Sequence, residues 1–540
     1  MAAQSTCDAV VVGAGFAGLY LLHKLRGQGL NVRVIEKGDG VGGTWFWNRY
    51  PGARVDIESQ EYSYSFSDAL QDEWQWTERY ASQPELLRYL NHVADRFDLR
   101  GDITFETCVT GAHFDAGANR WAVSTDGGET ISAKFCIMAT GCLSVTKDPD
   151  FPGQDSFEGA TYHTGHWPKE GVDFTGQRVG VIGTGSSAIQ SIPVIAAQAA
   201  HVTIFQRTPN FSVPAHNGPM DPAVVADWKA NRTAYRQAAR ESGFGIFAVD
   251  QVETLALDAT PQERQVAYAA RWAKGGFSLA GAYADIIVDK AANDTCAEFV
   301  RDQIKSIVKD PVVAEKLSPK SYPIATKRLC VDTGYYATFN RDNVSLVDLG
   351  DAPIEEITPG GVRTADADYS FDAIVYAIGF DAMTGALGKI DIRGRGGMVL
   401  KDKWAEGPLT YLGLMVFGFP NLFLVTGPGS PSVLSNMVVS IEQHVDWISD
   451  CIAYLGDRQV GAIEATSEAE AGWVAHVNEV ADTTLYPQAN SWYVGANIPG
   501  KPRVFMPYIG GFGVYRQTCA DIAAKDYEGF ALTSAAHAGA

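Results

Sequence analysis

No two of the eight cysteines (Cys7, Cys108, Cys136, Cys142, Cys296, Cys330, Cys451, Cys519) form a CxxC pair, and none stands with histidine at zinc-ligand spacing. That pattern argues against a dithiol redox centre and against a metal site, so no metal is expected. Thiols scattered in this way read as the reduced cysteines of a cytoplasmic protein. Positive charge is also scarce: 43 Lys plus Arg face 63 Asp plus Glu, a net charge of −20. Such a chain repels phosphate backbones and anionic lipid, so neither nucleic acid nor a membrane is expected as a partner, and only a local basic site remains open. The start, "MAAQSTCDAVVVGAG", has no basic segment leading into an apolar stretch, and no secretory leader is expected. Charge is absent from 407 to 440, long enough to span a bilayer. Pro420-Asn421 and "GPGSPS" at 427–432 interrupt that run, so two buried strands and a loop are expected there.

What the chain does have is length, 540 residues with 46% hydrophobic content, enough for two or three domains. It opens on a strand (9–12), a glycine turn, a helix (17–29) and a second strand (31–37), and the same grammar returns at 177–207. From about 218 to 320 the sequence turns alanine-rich and charged, with Val300, Ile304, Ile307 and Val308 at helical spacing. Strands return at "SLVDL" (345–349), "FDAIVYAIGFD" (371–381), "YLGLMVFGFP" (411–420) and "NLFLVTGPGS" (421–430), followed by a helix from about 436. The expected class is α/β, with two Rossmann-like dinucleotide-binding domains, the second interrupting the first and itself carrying a helical insertion. The expected boundaries are 1–143 and 380–540 for an FAD domain, 144–217 and 326–379 for an NADP domain, and 218–325 for the insertion.

The first motif is Gly13-x-Gly15-x-x-Gly18, in which the glycines serve the tight turn, the approach of a pyrophosphate and helix–strand packing. Glu36 closes the second strand, where a carboxylate accepts from ribose hydroxyls and repels a 2′-phosphate; the site suits FAD or NAD. The second motif is Gly183-x-Gly185-x-x-Ala188, with Ser186 and Ser187 opening its helix. Its acidic position is taken by Arg207 and Thr208, and a guanidinium there favours NADPH over NADH, with Lys327 a further phosphate partner if the fold brings it near. Two unlike dinucleotide sites imply a flavoprotein that takes hydride from NADPH.

Between the motifs lies "FEGATYHTGHWP", setting Phe157, Gly159, His163, Trp167 and Pro168 in the pattern FxGxxxHxxxWP. With "GGTWFWNRYPGARVDIES" (42–59), "ATG" (139–141), "TKRL" (326–329), "GPGSPSVLSNM" (427–437) and "SWYVGANIPGKPRVF" (491–505), this resembles the type I Baeyer–Villiger flavin monooxygenases over nearly the whole chain. Within that family it looks most like the phenylacetone monooxygenases and more distantly like the cyclohexanone monooxygenases. One departure is "AIG" at 377–379, where the family usually has Thr in place of Ile378. The resemblance implies FAD and NADPH as cofactors and ketone and O2 as substrates, one oxygen atom entering beside the carbonyl through a flavin C4a-peroxide and a tetrahedral adduct to give an ester or lactone. It implies Arg328 and Asp56 as the catalytic pair, Thr44, Trp45, Asp56, Arg328 and Trp492 beside the cofactors, and Ser432, Val433, Leu434 and Met437 at the substrate pocket. Trp492 would lie on a loop closing over nicotinamide and substrate. His163 and Trp167 would anchor movements of the two domains; as an imidazole, His163 is otherwise the obvious acid or base. An N- or S-oxygenating flavin monooxygenase and a catalytically idle flavin-binding redox sensor stay open as alternatives. The protein is expected to be a monomer or weak oligomer.

Overall fold

A computed structural model describes residues 4–249 and 252–534 of the chain. The first unit is β1 (Gln4–Val12), α1 (Phe16–Gly27) and β2 (Val32–Ile35). Strand β1 lies between β2 and the strand Thr130–Met138, parallel to both, with Val10 opposite Arg33 on one side and Cys136 on the other. A strand buried on both faces needs an unbroken apolar run, which is why residues 9–12 read AVVV without alternation. Its sheet has eight strands in all. Strands from distant parts of the chain join it, Asp391–Arg393 at one edge and Leu422–Leu424 against Thr130–Met138.

The second unit repeats the grammar as β3 (Arg178–Ile182), α2 (Ser186–Gln198) and β4 (His201–Gln206). Its sheet is five-stranded and wholly parallel, completed by Ala160–His163, Ala373–Tyr376 and Val344–Asp348. Between β4 and Val344 the chain is mainly helical, with helices at Pro222–Glu241, Pro261–Lys274, Lys290–Ile307 and Pro311–Leu317. Val300, Ile304 and Val308 are buried, and Ile307 is half-buried, as their spacing predicts. The first of these helices starts on Asp221, whose carboxylate accepts from the Ala223 amide, and on Pro222, whose missing N–H costs nothing at that position. Near its end Arg236 is buried and donates to Ser63 Oγ (2.8 Å) and the Glu61 carbonyl (3.2 Å), docking the helical segment on the first unit.

Two expectations fail. Residues 411–420 form no strand: they hold one bridge, Tyr411 to Met415, and turn through left-handed backbone at Leu412, Gly413 and Gly418. The uncharged run 407–440 therefore contains a single strand, Leu422–Leu424, and not two. Leu412, Leu414, Met415 and Val416 are all buried there, and an apolar run alone does not separate a buried turn from a buried strand. The antiparallel hairpin Val109–Asp115 and Arg120–Thr125, which widens the first sheet, had no counterpart in the sequence reading. No helix among the described residues is long and apolar enough to cross a membrane.

The chain passes from the first sheet to the second at 139–148 and returns at 377–383. These crossings pair antiparallel: Met383 N donates to the Cys142 carbonyl (2.9 Å), Asp381 N to Val145 (2.9 Å) and Lys147 N to Gly379 (3.0 Å).

Candidate active site

Both glycine turns are built alike. Gly13 has φ +107° and Gly183 φ +113°. A Cβ would lie 2.6 Å from the Ala139 carbonyl oxygen at the first and 2.4 Å from that of Ala377 at the second. Each turn is thus pressed against the start of a crossing segment, and only glycine fits. No side chain caps α1 at Gly15 or α2 at Gly185, so the first amides of both helices are left to an anion, as a bound pyrophosphate requires. Glu36 is buried, with Oε2 accepting from Ala14 N and Oε1 from Gly38 N, each at 2.7 Å. Burial raises its pKa while the two amides hold it down, and its remaining lone pairs suit ribose hydroxyls. The residues present fit a dinucleotide without a 2′-phosphate.

At the second turn Thr184 donates to the Thr208 carbonyl (2.9 Å) and Asn210 Nδ2 to the Thr184 carbonyl (2.7 Å), fixing the loop that carries Arg207 and Thr208. Arg207 is exposed and forms no ion pair among the described residues. Folding does bring Lys327 close: its ammonium stands 4.4 Å from the centre of the Tyr322 ring, and the Tyr322 hydroxyl donates to the carbonyl of Pro209, two residues past Arg207. The Lys327 pKa is lowered by burial and by the charge of Arg207. Unneutralised cations on a fixed loop fit a dinucleotide that carries a 2′-phosphate. Ser186 Oγ lies 3.3 Å from Cys330 Sγ and Ser187 Oγ 3.1 Å from Thr164 Oγ1, so both serines tie the start of α2 to its surroundings.

Arg328 and Asp56 meet where two segments pack on α2: Arg328 lies two residues before Cys330, whose thiol is at Ser186, and Asp56 two residues after Arg54, whose amide donates to Gln190 Oε1 (3.3 Å). The guanidinium donates from Nε to Oδ2 (2.7 Å) and from Nη2 to Oδ1 (2.8 Å), a two-pronged pair, and from Nη1 to the Val433 carbonyl (2.6 Å). Its face lies 5.0 Å from the Phe277 ring. Burial pulls its pKa down, but the charge and hydrogen bonds of Asp56 lift it further, so it is a permanent cation.

A family model described as pyridine nucleotide-disulphide oxidoreductase matches residues 10–234. The chain is 45% identical over 524 residues to a Baeyer–Villiger monooxygenase of Pseudooceanicola batsensis, spanning 96% of this chain and 95% of that one. The chain belongs to the Baeyer–Villiger monooxygenase family. It is also 42% identical over 531 residues to a phenazine N-monooxygenase of Lysobacter antibioticus, covering 98% and 97%. A solved steroid monooxygenase bound to NADP matches with a TM-score of 0.95 at 53% identity, covering 98% and 100%. The disulphide reductase model covers the dinucleotide units, and here all eight cysteines are free.

In this Baeyer–Villiger monooxygenase, an apolar cluster adjoins Arg328. Cys142, Met383, Val433 and Tyr493 are buried in it, and Leu434, Met437 and Trp492 are half-buried. Trp492 packs on Tyr493 with ring centres 4.2 Å apart. Ser432 is fully buried in left-handed backbone at φ +43°. Burial raises the Cys142 thiol to about 11, so it stays neutral in that wall. Trp45 is buried and Thr44 opens the short helix that ends at Trp47. Sequence reasoning missed the Val433 carbonyl, which as a backbone group has no residue signature. It also passed over Phe277, in the helical segment, and Tyr493, whose place beside Trp492 in "SWY" was the available signal.

The fingerprint lies along the second sheet. Gly159 has no room for a Cβ, which would stand 2.7 Å from the Asp372 carbonyl oxygen and 2.5 Å from Phe157 Cζ. Trp167 is buried against Tyr162 and Phe174, and Pro168 follows it half-buried. The His163 ring is spoken for on both nitrogens: Nδ1 accepts from Gly165 N (3.0 Å) and Nε2 donates to the Lys147 carbonyl (3.1 Å). Burial and His166 hold its pKa below the usual histidine range, so it is a neutral donor.

Proposed function

We propose that the protein converts a ketone, NADPH, O2 and a proton into an ester or lactone, NADP+ and water, with Arg328 as the group that stabilises negative charge on the reacting oxygens. The observation that carries this reading is the two-pronged Arg328–Asp56 pair beside α2, the helix of the second dinucleotide turn. FAD, held by the first turn and Glu36, supplies the redox chemistry that takes hydride from NADPH and activates oxygen. Asp56 and the Val433 carbonyl take three of the five guanidinium donors and so fix its plane. The two that remain are those a substrate oxygen or the Tyr493 hydroxyl can take. A fixed cation in a dry site is worth far more to a developing oxyanion than the same cation in water, about 3 kcal/mol per donor lost. The apolar wall of Cys142, Met383, Val433, Leu434 and Met437 binds the hydrocarbon of the ketone. Trp492 covers it and excludes water, which would otherwise divert activated oxygen to hydrogen peroxide.

Membership in the family supports this reading. The test is NADPH oxidation over aryl, linear and cyclic ketones with products identified by mass. Wild type should form ester or lactone, and Arg328→Ala should bind FAD and oxidise NADPH without forming either. Normal ester yield from Arg328→Ala would remove this residue from the mechanism. The N-oxygenating relative makes oxygenation at nitrogen the second reading, established if amines in the same panel give N-oxides while ketones are left unchanged.

A further inference from the structure

The second dinucleotide site has a cation that belongs to no recognised motif. Lys147 sits on the outgoing crossing segment, and its backbone is gripped at both ends. Its N–H donates to the Gly379 carbonyl (3.0 Å) and its carbonyl accepts from His163 Nε2 (3.1 Å). The neighbouring residue is locked as well. Thr146 bridges to Phe380 and shares a hydrogen bond with His166 Nε2 at 2.8 Å, and a Cβ on Gly165 would lie 2.2 Å from Thr146 Cγ2. The segment has no freedom to slide, so the root of the Lys147 side chain is placed as firmly as a residue within a strand.

Its ammonium has no such partner. Lys147, Arg207 and Lys327 form no ion pair among the described residues, in a chain whose net charge is −20. The Gly183 turn joins their supports: its N–H donates to the Phe205 carbonyl (3.0 Å), two residues before Arg207, and a Cβ on it would lie 2.4 Å from the Ala377 carbonyl oxygen, two residues before the Gly379 that holds Lys147. In keeping with that placement, burial and the charge of Arg207 lower the pKa of Lys147, as they do that of Lys327. Asp150 acts on Lys147 in the opposite sense without closing an ion pair. Arg207 acts on both lysines, and none of the three cations closes an ion pair among the described residues, an arrangement that suits an anion of about two charges, the charge of a phosphomonoester near neutral pH.

We propose that Lys147 is a third cation for the adenosine 2′-phosphate of NADPH, and that His163 acts on cofactor choice by gripping the Lys147 carbonyl. This rests on the NADPH reading of the second site. It makes the fingerprint histidine a positioning residue whose target is that cation.

The test uses the FAD-loaded enzyme and two probes without nicotinamide, adenosine 2′,5′-bisphosphate and 5′-AMP, titrated by calorimetry. Lys147→Ala should weaken the bisphosphate about tenfold relative to 5′-AMP, a loss of one charge-assisted contact, while Lys147→Arg retains the preference. In turnover the same variant should raise KM for NADPH more than KM for NADH. His163→Leu should reproduce the loss of preference, and His163→Gln, whose side-chain amide can donate to the same carbonyl, should restore most of it. Arg207→Ala separates the two levels of the argument. If it leaves the preference for the 2′-phosphate intact, the NADPH reading of this site fails. If it abolishes the preference while Lys147→Ala does not change it, the assignment of Lys147 is overturned. A His163→Leu enzyme with wild-type preference would overturn the role given to the histidine.

Discussion

At the scale of single residues, the site separates groups that carry charge from groups that aim it. Arg328 cannot lose its proton and is held by Asp56 on one edge and by a backbone carbonyl on another. Asp56→Ala removes two of those three contacts, leaving the cation in place but free to rotate. Ester formation should fall by about 10²-fold while NADPH oxidation continues as peroxide release, read from the ratio of ester to hydrogen peroxide. Val433 works differently, because its carbonyl serves Arg328 while its side chain faces the apolar cluster. Val433→Ala keeps the carbonyl and removes branched volume, so a ketone panel should shift toward bulkier substrates; an unchanged order of preference would show that this side chain does not bound the pocket.

Among the elements, those that reveal themselves in the sequence are the ones with a period and a punctuation mark. Both strand–turn–helix units are legible because a buried parallel strand needs a continuous apolar run and the turn needs glycine, as at Gly13 and Gly183. Glu36 and Arg207 directly follow their second strands, and Arg328 and Asp56, singled out only through family resemblance, form a two-pronged ion pair. Residues 411–420 were misread because Leu412, Gly413 and Gly418 turn the backbone while every neighbouring side chain stays apolar. Lys147 was passed over because its importance comes from a ladder between segments more than two hundred residues apart, which no local pattern encodes. That ladder also sets a prediction for Gly165. An added methyl collides with Thr146 and with the Phe380 ring, 3.0 Å away, so Gly165→Ala should part the crossings from the fingerprint. Flavin reduction by NADPH should slow relative to reduction by dithionite, and the protein should lose about 1–3 kcal/mol of stability from overpacking.

For the whole molecule, the pH dependence of stability falls on buried groups to which the proposed chemistry gives no role. His444 is fully buried, its Nδ1 accepting from Thr426 N (2.9 Å) and its Nε2 2.9 Å from the Tyr515 hydroxyl. Burial lowers its pKa to about 3. The unfolded chain takes up a proton near pH 6.5 and the folded chain does not until far lower, so the contribution of neutral His444 is complete above 6.5 and is lost as the pH falls through that window. Glu61 works in the opposite sense: burial raises its carboxyl to about 7, so its contribution is full below the ordinary carboxylate range and is lost as the pH rises through 7. Comparing His444→Gln with wild type by urea unfolding isolates the first effect. The advantage of wild type should shrink by about 1.4 kcal/mol per pH unit below 6.5. An advantage independent of pH would mean that His444 takes up its proton in the folded state as readily as in the unfolded chain.

The paired crossings have a consequence for how such enzymes can be recombined. Because 142–147 and 379–383 hydrogen-bond to each other, neither dinucleotide unit owns its own border. A graft that replaces the second unit with that of a relative must therefore carry both crossings from the same parent, together with the fingerprint that grips them, because a cut through this waist would leave each half of the ladder facing a stranger.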